Sequence, residues 1–271
     1  MGDVGLWNLT CMTRDEGLRM ARDLLRSRRT ILVLTGAGVS AESGVPTFRG
    51  PDGLWKTHRP EQLATPEAFR GNPLLVWEWY NWGRNVVATC EPNPAHRALA
   101  HLTLFNSEAQ IATQNVDGLH LSAIEEASEI AEIEPPLSAM PLELHGSLFR
   151  VRCTGCNMKT DHRDAVDVTS IPALPHCQEC GTLLRPDVVW FGEPLNPHTL
   201  DEAMTHARTA EVCLVVGTSS VVHPVASLPW LTRRAGGVVI EVNPEATPLT
   251  ETANVSVRGT AAHIIPEILS Q

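Results

Sequence analysis

The sequence has few basic residues, a single tyrosine and no long apolar run. Because 21 Lys and Arg stand against 31 Asp and Glu, the formal net charge is −10. An extended nucleic-acid footprint needs clustered cations, so no direct nucleic-acid partner is expected. No apolar stretch is long enough to cross a bilayer, and the first residues carry Asp3 and no apolar signal core. These absences predict a cytoplasmic protein without a membrane partner.

Cysteine is present in an odd number, and four of the seven residues form two short pairs. Cys153 and Cys156 make one Cys-x-x-Cys pair, Cys177 and Cys180 make the other, and twenty residues separate the pairs. This spacing is typical of a structural zinc ribbon, in which four thiolates complete a tetrahedral site and leave no open position for substrate. The alternative is that one pair is accidental and its thiols fill a core. The zinc ribbon predicts one structural zinc ion per chain.

The other three cysteines, Cys11, Cys90 and Cys213, lie far apart in the sequence. Cys213 stands in an apolar run and is most simply a buried small hydrophobic residue. Cysteines without an evident partner indicate a reducing compartment.

Short apolar runs alternate with helical patterns along most of the 271 residues. The runs that indicate buried strands are 30–34, 110–113, 212–216, 237–242 and 255–257, and the helical patterns include 14–29, 95–105 and 200–210. This alternation predicts an α/β fold with a doubly wound parallel sheet. The aromatic segment 77–82 and the cysteine pairs interrupt it, which indicates a small inserted domain comprising a helical module and the zinc ribbon.

A glycine-rich turn follows the first apolar run. Gly36, Gly38 and Ala41 fit the Gly-x-Gly-x-x-Ala pattern of a dinucleotide-binding turn, in which the backbone approaches a pyrophosphate and a helix N-terminus faces the negative charge. Glycine-rich turns also serve simple geometry. The acidic residue expected about 20 residues later is not evident, so the chain does not look like an ordinary NAD dehydrogenase.

Taken in order, several motifs resemble those of the sirtuins, which are NAD-dependent protein lysine deacylases. The motifs are GAGVSAESGVPTFRG at 36–50, TQNVDGLH at 113–120, LHGS at 144–147, the two Cys-x-x-Cys pairs, RPDVVWFGE at 185–193, GTS at 217–219 and VNPE at 242–245. The resemblance extends from about residue 15 to the C-terminus.

The resemblance implies a catalytic domain over 14–271 in which NAD and an acylated lysine of a protein or peptide meet in a cleft between two parts. A large Rossmann-like domain would comprise about 14–47, 90–145 and 187–271. The small domain would comprise the helical module at about 48–89 and the zinc ribbon at about 146–186.

The resemblance also implies the chemistry. His145, Asn115 and Asp117 are the implied catalytic residues, and an imidazole that titrates near neutrality suits His145 to general base work. In sirtuins the matching histidine deprotonates a ribose hydroxyl. That hydroxyl attacks an intermediate formed when the acyl oxygen displaces nicotinamide from C1′. The products are free lysine, nicotinamide and O-acyl-ADP-ribose. Without the resemblance, Asn115 and Asp117 are equally well explained as Asx-turn residues beside Gly118.

Binding residues follow from the same resemblance. Cofactor contacts are expected at Gly36, Ala37, Gly38, Ala41, Phe48, Arg49, Gln114, Asn115, Asp117, Gly217, Thr218, Ser219, Asn243, Glu245 and Ala261. Substrate contacts are expected at Tyr80, Val188, Val189, Phe191, Gly192 and Val221. The run from Val188 to Gly192 would pair with the acyl-lysine peptide by strand addition; read without the family, it is a core strand.

One departure concerns the acyl pocket. The segment 77–84 (WEWYNWGR) resembles the desuccinylase/demalonylase branch, which recognises an acyl carboxylate with a Tyr and an Arg three residues apart. Tyr80 matches the first, but Gly83 stands where the Arg is expected and Arg84 follows it. One residue rotates a helical side chain by about 100°, so Arg84 is expected to point away. We therefore predict general deacylation, with acidic-acyl removal as an alternative hypothesis.

A second departure is the interval between His120 and His145, which is longer than is typical of sirtuins. It holds an acidic helix pattern ending in a proline-rich turn, with five glutamates between residues 125 and 134. It would either cover the cleft, contact a basic substrate protein, or form a solvated surface, and charge runs favour the last.

Two other functions compete with deacylation. Mono-ADP-ribosyl transfer would use the same cofactor and cleft, but the intact Leu-His-Gly motif favours deacylation because acyl transfer needs a base. A non-catalytic NAD-sensing module would keep the fold and the zinc. It is disfavoured because the whole set of polar motif residues is present.

Overall fold

The structure, a computed structural model, describes residues 13–47 and 60–270. The helices are α1 (Arg14–Arg26), α2 (Pro60–Leu63), α3 (Pro66–Gly71), α4 (Pro73–Val87), α5 (Pro94–Phe105), α6 (Leu119–Ala131), α7 (Pro197–Thr209), α8 (Leu228–Arg234) and α9 (Ala261–Leu269). The strands are β1 (Ile31–Thr35), β2 (Ala109–Thr113), β3 (Leu142–Glu143), β4 (Gly146–Cys153), β5 (Lys159–Asp161), β6 (Leu184–Val188), β7 (Val212–Val216), β8 (Val238–Asn243) and β9 (Val255–Arg258). None of the helices in these ranges is both long and apolar enough to cross a membrane.

Within the described residues, six parallel strands form the larger sheet in the order β3-β2-β1-β7-β8-β9. When the strands of the inserted lobe are left out of the count, this is the 3-2-1-4-5-6 order of a Rossmann sheet. The order reverses between β1 and β7, so the crevice outside the carboxyl ends of these two strands is the expected ligand site. The predicted Rossmann-like, doubly wound α/β fold is confirmed.

Helices cover both faces of this sheet, which explains why its strands are continuous apolar runs. On β1, Ile31 and Val33 belong to the apolar cluster formed with α1, α5 and α9. Leu32 and Leu34 belong to the cluster on the other face, with α7 and α8. Every residue of β1 is therefore buried.

The inserted lobe has a three-stranded antiparallel sheet in the order β5-β4-β6. Trp77 and Tyr80 of α4 share an apolar cluster with Val151 and Leu184 of this sheet. The Trp77 indole N–H also donates to the Leu184 carbonyl oxygen at 3.0 Å. The helical module and the zinc ribbon thus pack into one lobe, while the residue boundaries expected for the two domains stay a prediction.

The acidic segment is a helix followed by a proline-rich turn, as predicted. Helix α6 ends at Ala131 and is capped by Glu132, whose φ is 54°, and residues 137–139 form a short 3-10 turn. Helix α6 packs along α5, and the rings of His96 on α5 and His120 at the start of α6 lie 4.9 Å apart. Helix α5 then leads into the start of β2. A helix of 13 residues rises about 20 Å, so the acidic end lies away from the carboxyl edge of the sheet. This position favours a solvated surface over a cover for the cleft.

Candidate active site

The loops at the carboxyl ends of β1, β2, β7 and β8 meet at one edge of the sheet. Gln114 donates its amide N–H to the Thr218 hydroxyl at 2.9 Å. Asn243 donates its amide N–H to the Thr218 carbonyl oxygen at 2.9 Å. These bonds join three of the four loops. The structure therefore brings together most of the expected cofactor residues: Gly36, Ala37, Gly38, Ala41, Gln114, Asn115, Asp117, Gly217, Thr218, Ser219, Asn243 and Glu245.

Gly36 and Gly38 are required by the close approach of the β1 and β7 loops. A Cβ atom at Gly36 would lie 2.9 Å from the Gly217 carbonyl oxygen, and one at Gly38 would lie 2.7 Å from the Gly217 Cα. The Gly38 N–H donates to the Gly217 carbonyl oxygen at 2.8 Å, and the Gly36 N–H donates to that of Val216 at 3.1 Å. Packing between the two strand ends is therefore sufficient reason for these glycines.

The helix expected to follow this turn is absent from residues 36–47, and that prediction is wrong. Residues 37–39 and 41–43 form two short 3-10 turns instead. The second turn ends at Gly44, which adopts a φ of 90°. Pro46 stands two residues later and disfavours a helical conformation at Val45, the residue before it.

Asn115 and Asp117 are buried at the end of β2. Asn115 donates its amide N–H to the Ser40 hydroxyl at 3.0 Å. Asp117 accepts the backbone N–H of Leu119 at 3.0 Å, as an Asx turn does. Burial raises the pKa of the Asp117 carboxyl, and hydrogen bonds from Leu119 and Ser40 oppose that rise. Both residues therefore stabilise the loop and also contribute polar groups to the edge of the cleft.

His145 lies in the turn between β3 and β4 and is half-buried. Its Nδ1 atom is 3.1 Å from the Gln114 carbonyl oxygen. Because a carbonyl oxygen only accepts, Nδ1 carries the proton and Nε2 of the neutral ring has a free lone pair. Burial lowers the pKa of His145, although the bond to Gln114 opposes this. The ring is thus neutral at neutral pH and has the form that a general base requires.

Gly146 places His145 beside the expected peptide-binding segment. Its φ is 83°, and a Cβ atom there would lie 1.9 Å from the Asp187 carbonyl oxygen. Gly146 pairs with Val188 across the β4–β6 ladder, and the Val189 N–H donates to the His145 carbonyl oxygen at 2.9 Å. Strand β6 ends at Val188, so the expected edge at residues 189–192 is loop and turn.

Tyr80 and Arg84 are both buried on α4, but they contact different parts of the lobe. The Tyr80 hydroxyl accepts the indole N–H of Trp190 at 2.8 Å. Arg84 donates from Nη2 to the carbonyl oxygens of His162 at 2.6 Å and Asp164 at 2.7 Å. Arg84 is therefore hydrogen-bonded to the loop after β5. The expectation that it points away from Tyr80 is wrong, because residues four apart on a helix share a face and both side chains are buried.

The four cysteines of the two pairs come together as a metal-binding group. Their sulfur atoms all lie within 4.8 Å of one another, with 3.3 Å between Cys153 and Cys180 and 3.7 Å between Cys156 and Cys177. A tetrahedral zinc ion with bonds of about 2.3 Å places its sulfur ligands about 3.8 Å apart. The donor set therefore fits zinc, and four thiolates leave no position for substrate.

A pair of buried histidines behind the cleft was missed by the sequence analysis. His96 lies 3.2 Å from the Ser40 hydroxyl, and His120 lies 2.9 Å from the Thr35 hydroxyl, in both cases through Nε2. Burial lowers the pKa of His96 to about 4 and that of His120 well below its ordinary value. The sequence did carry a signal for both histidines. His96 stands three residues after Asn93, the N-cap of α5, and His120 is the last residue of the TQNVDGLH motif.

The loop after β7 and the start of α9 hold two further expected residues, Val221 and Ala261. Ser220, in the loop after β7, has a buried hydroxyl without a hydrogen-bond partner in the described ranges, as expected where a polar ligand completes the site. Val221 beside it is exposed, and Ala261 is the first residue of α9. Phe48 and Arg49 lie outside the described residues.

Comparisons with known proteins agree with this geometry. Residues 36–224 match the model of the Sir2 family. The chain is 48% identical over 252 residues to the NAD-dependent protein deacylase of Thermococcus kodakarensis, covering 92% of this chain and 93% of the relative.

Solved structures are similar over the same extent. A Sir2 homologue in complex with NAD has a TM-score of 0.80 and 45% identity, covering 94% of this chain and 92% of that chain. A Sir2 protein bound to a myristoylated histone peptide has a TM-score of 0.71 and 31% identity, covering 94% and 95%. The chain belongs to the Sir2 family.

Proposed function

We propose that this protein removes acyl groups from lysine side chains of proteins in an NAD-dependent reaction. The observation that carries the proposal is the neutral His145 ring, held through Nδ1 by the Gln114 carbonyl oxygen at the edge where the four loops meet. The family membership supports the proposal, as do the deacylase named in Thermococcus kodakarensis and the histone-peptide complex of a related protein.

The residues divide the work as follows. When bound, NAD supplies the ADP-ribosyl group that receives the acyl group and the nicotinamide that leaves. His145 accepts the proton of a ribose hydroxyl on Nε2, and the Gln114 carbonyl oxygen stabilises the resulting imidazolium through the Nδ1 proton. Asn115 and Asp117, fixed by bonds to Ser40 and Leu119, orient the ribose and the carboxamide.

The zinc ribbon has a structural role in this account. Cys153 ends β4 and lies eight positions after His145, and β6 leads from the second cysteine pair to Val188. A zinc ion held by the four cysteines would fix the sheet that forms one wall of the cleft. The ion would not touch the substrate, because its four ligands are all protein thiolates.

The acyl group removed is a neutral one in this proposal. Arg84 donates from Nη2 to the carbonyl oxygens of His162 and Asp164, although its buried Nη1 has no hydrogen-bond partner in the described ranges. Gly83 provides no charge. Burying an acyl carboxylate without a partner cation would cost several kcal/mol, as an order of magnitude. Acetyl-lysine is therefore preferred over succinyl-lysine.

A cytoplasmic location is part of the proposal. All six cysteines in the described ranges are unpaired, which agrees with a reducing compartment. Separating the cytosol from the membrane fraction and probing for the protein tests this point directly.

The function is tested by incubating the protein with NAD and acetyl-, succinyl- and longer acyl-lysine peptides, followed by mass spectrometry. The expected products are free lysine peptide, nicotinamide and O-acyl-ADP-ribose. Transfer of ADP-ribose to the peptide would indicate the competing transferase, and unchanged NAD would indicate a non-catalytic module.

A further inference from the structure

Glu193 fixes the geometry of the loop that follows β6. Its carboxylate accepts two N–H groups of the Arg185 guanidinium, at 2.6 Å and 2.9 Å. It also accepts the backbone N–H of Trp190 at 2.9 Å and an N–H of Arg152 at 3.2 Å. A bidentate Arg–carboxylate pair is both strong and directional. The pair therefore holds the loop at Trp190 in one conformation.

Arg185 also fixes the plane of the Trp190 indole. Its guanidinium carbon lies 3.2 Å from the centroid of the Trp190 ring, a favourable cation–π arrangement. Arg185 donates to the Val188 carbonyl oxygen at 2.7 Å as well. The Phe69 ring lies 5.4 Å from that of Trp190, and the indole is 2% exposed. Trp190 is thus confined by a charged group and an aromatic ring.

The indole in turn determines how the Tyr80 hydroxyl is used. Trp190 donates its N–H to the Tyr80 oxygen at 2.8 Å. A phenol has one proton to donate and two lone pairs to accept with. Since Trp190 occupies a lone pair, the proton of Tyr80 is directed elsewhere. The Tyr80 side chain is only 3% exposed. The bond from Trp190 therefore sets the direction in which the Tyr80 hydroxyl, its one polar group, points.

We propose that Arg185 and Glu193 are positioning residues that act through Trp190 to orient the Tyr80 hydroxyl and thereby set the acyl selectivity. This proposal rests on the proposed deacylase function. The same loop is joined to His145 by the Val189 N–H and to the helical module by the Phe191 N–H, which donates to the Ala64 carbonyl oxygen at 2.9 Å. A change in the Arg185–Glu193 pair therefore reaches the acyl pocket by a continuous set of bonds.

The test uses Glu193→Gln, Trp190→Phe and Tyr80→Phe in the full chain, with Glu126→Gln as the matched control. Glu126 also pairs with an arginine, Arg97, at 3.0 Å, but on the surface of α5 and α6. For each variant we would measure kcat/KM for acetyl- and butyryl-lysine peptides, KM for NAD, and zinc content. Loss of the hydrogen bond that orients the Tyr80 hydroxyl should raise the butyryl-to-acetyl ratio of kcat/KM about 3- to 10-fold. The KM for NAD should be unchanged.

Double variants identify the route. Adding Glu193→Gln or Trp190→Phe to Tyr80→Phe should change the ratio no further, because all three remove the same orientation of one hydroxyl. A full additional change in the double variants would overturn the proposal. Should Glu193→Gln fail to fold because Arg185 is left unpaired, Arg185→Lys takes its place, since it keeps the charge and loses the bidentate pair.

A spectroscopic readout tests the orientation without any turnover. Tyr80 is the only tyrosine of the chain, so the Raman doublet of tyrosine, which reports hydrogen bonding of the phenol, reports Tyr80 alone. Glu193→Gln and Trp190→Phe should alter the doublet and Glu126→Gln should not. An unaltered doublet in Glu193→Gln would contradict the positioning role. Absence of O-acyl-ADP-ribose with the wild-type protein would refute the proposed function and the selectivity that rests on it, while the doublet would still decide the orientation.

Discussion

The carbonyl oxygen of His145 accepts the backbone N–H of Val189 at 2.9 Å. The proposed base and the proposed peptide-binding loop are therefore joined by one backbone bond. Gly146 makes this contact possible, because β4 can approach β6 only where no Cβ atom intervenes. The position of the base and the position of the substrate are consequently set by the same strand pair.

Replacing Gly146 by Ala should disrupt the site. The new Cβ would lie 1.9 Å from the Asp187 carbonyl oxygen, at a φ of 83°, so the two strands must separate. Deacylation should fall by at least about tenfold, as displaced catalytic groups do, and thermal unfolding should occur at a lower temperature. Gly236→Ala is the matched control, because Gly236 has a φ of 91° and nothing within 4 Å of its Cβ position. Equal losses of activity in the two variants would contradict this account.

Acid should destabilise the protein through its buried histidines. The pKa of His96 is lowered to about 4 by burial, and that of His120 is lowered too, so the folded state favours the neutral rings. Their stabilising contribution is complete above the unfolded pKa of about 6.5 and is lost as pH falls toward 4. For His96 the full effect is on the order of 3 kcal/mol.

Thermal unfolding measured from pH 7.5 to 4.5 checks this expectation. His96→Gln should show a smaller loss of free energy of unfolding on acidification than the wild type. His198→Gln, at an exposed histidine, should keep the wild-type dependence. Identical acid dependence in His96→Gln and the wild type would show that the titrating groups lie elsewhere.

Loss of the metal should remove activity by unfolding the small sheet. Cys156→Ser takes one of four thiolates from the group, so bound zinc should fall from one ion per chain to nearly none. Metal analysis and circular dichroism check the loss of zinc and of structure. Cys90→Ser, at a half-buried cysteine outside this group, should retain both zinc and turnover. Full deacylation by zinc-free protein would refute a structural role for the ion.

Gly83→Arg should change the acyl preference. Position 83 follows Tyr80 by three residues on α4, and nothing lies within 4 Å of a Cβ atom there, so an arginine can be introduced without a steric clash. The succinyl-to-acetyl ratio of kcat/KM should rise by about tenfold or more, because a buried carboxylate gains a cation. Gly83→Ala adds only helix propensity, so its ratio should match that of the wild type. No gain in Gly83→Arg would show that the pocket lies elsewhere.

The sequence was informative where local pattern determines structure. Continuous apolar runs predicted β1, β2, β7 and β8, because a strand buried on both faces cannot alternate. The edge strand β9 does alternate between buried and half-buried residues. Cysteine spacing predicted the metal group, because four thiolates at those intervals have few other uses. The offset expected of Arg84 from Tyr80 was wrong, because residues four apart on a helix lie on the same face.

Contacts between distant segments were not predictable in this way. The Trp190–Tyr80 bond joins residues 110 positions apart, and the carbonyl partners of Arg84 lie 78 and 80 positions from it. The 3-10 turns at 37–43 also depend on tertiary packing, since the Gly38 N–H bonds to the β7 loop rather than within a helix. Such contacts arise only once the fold brings the segments together.

The most direct test of the account is the His145→Ala variant, assayed for O-acyl-ADP-ribose and, by calorimetry, for NAD binding. His145 supplies the base, and the bonds that join Gln114, Thr218 and Asn243 do not involve its ring, so the variant should bind NAD with an affinity close to that of the wild type. Product formation should fall by about 100-fold or more, the usual contribution of a general base. An undiminished yield of O-acyl-ADP-ribose from His145→Ala would contradict the central claim.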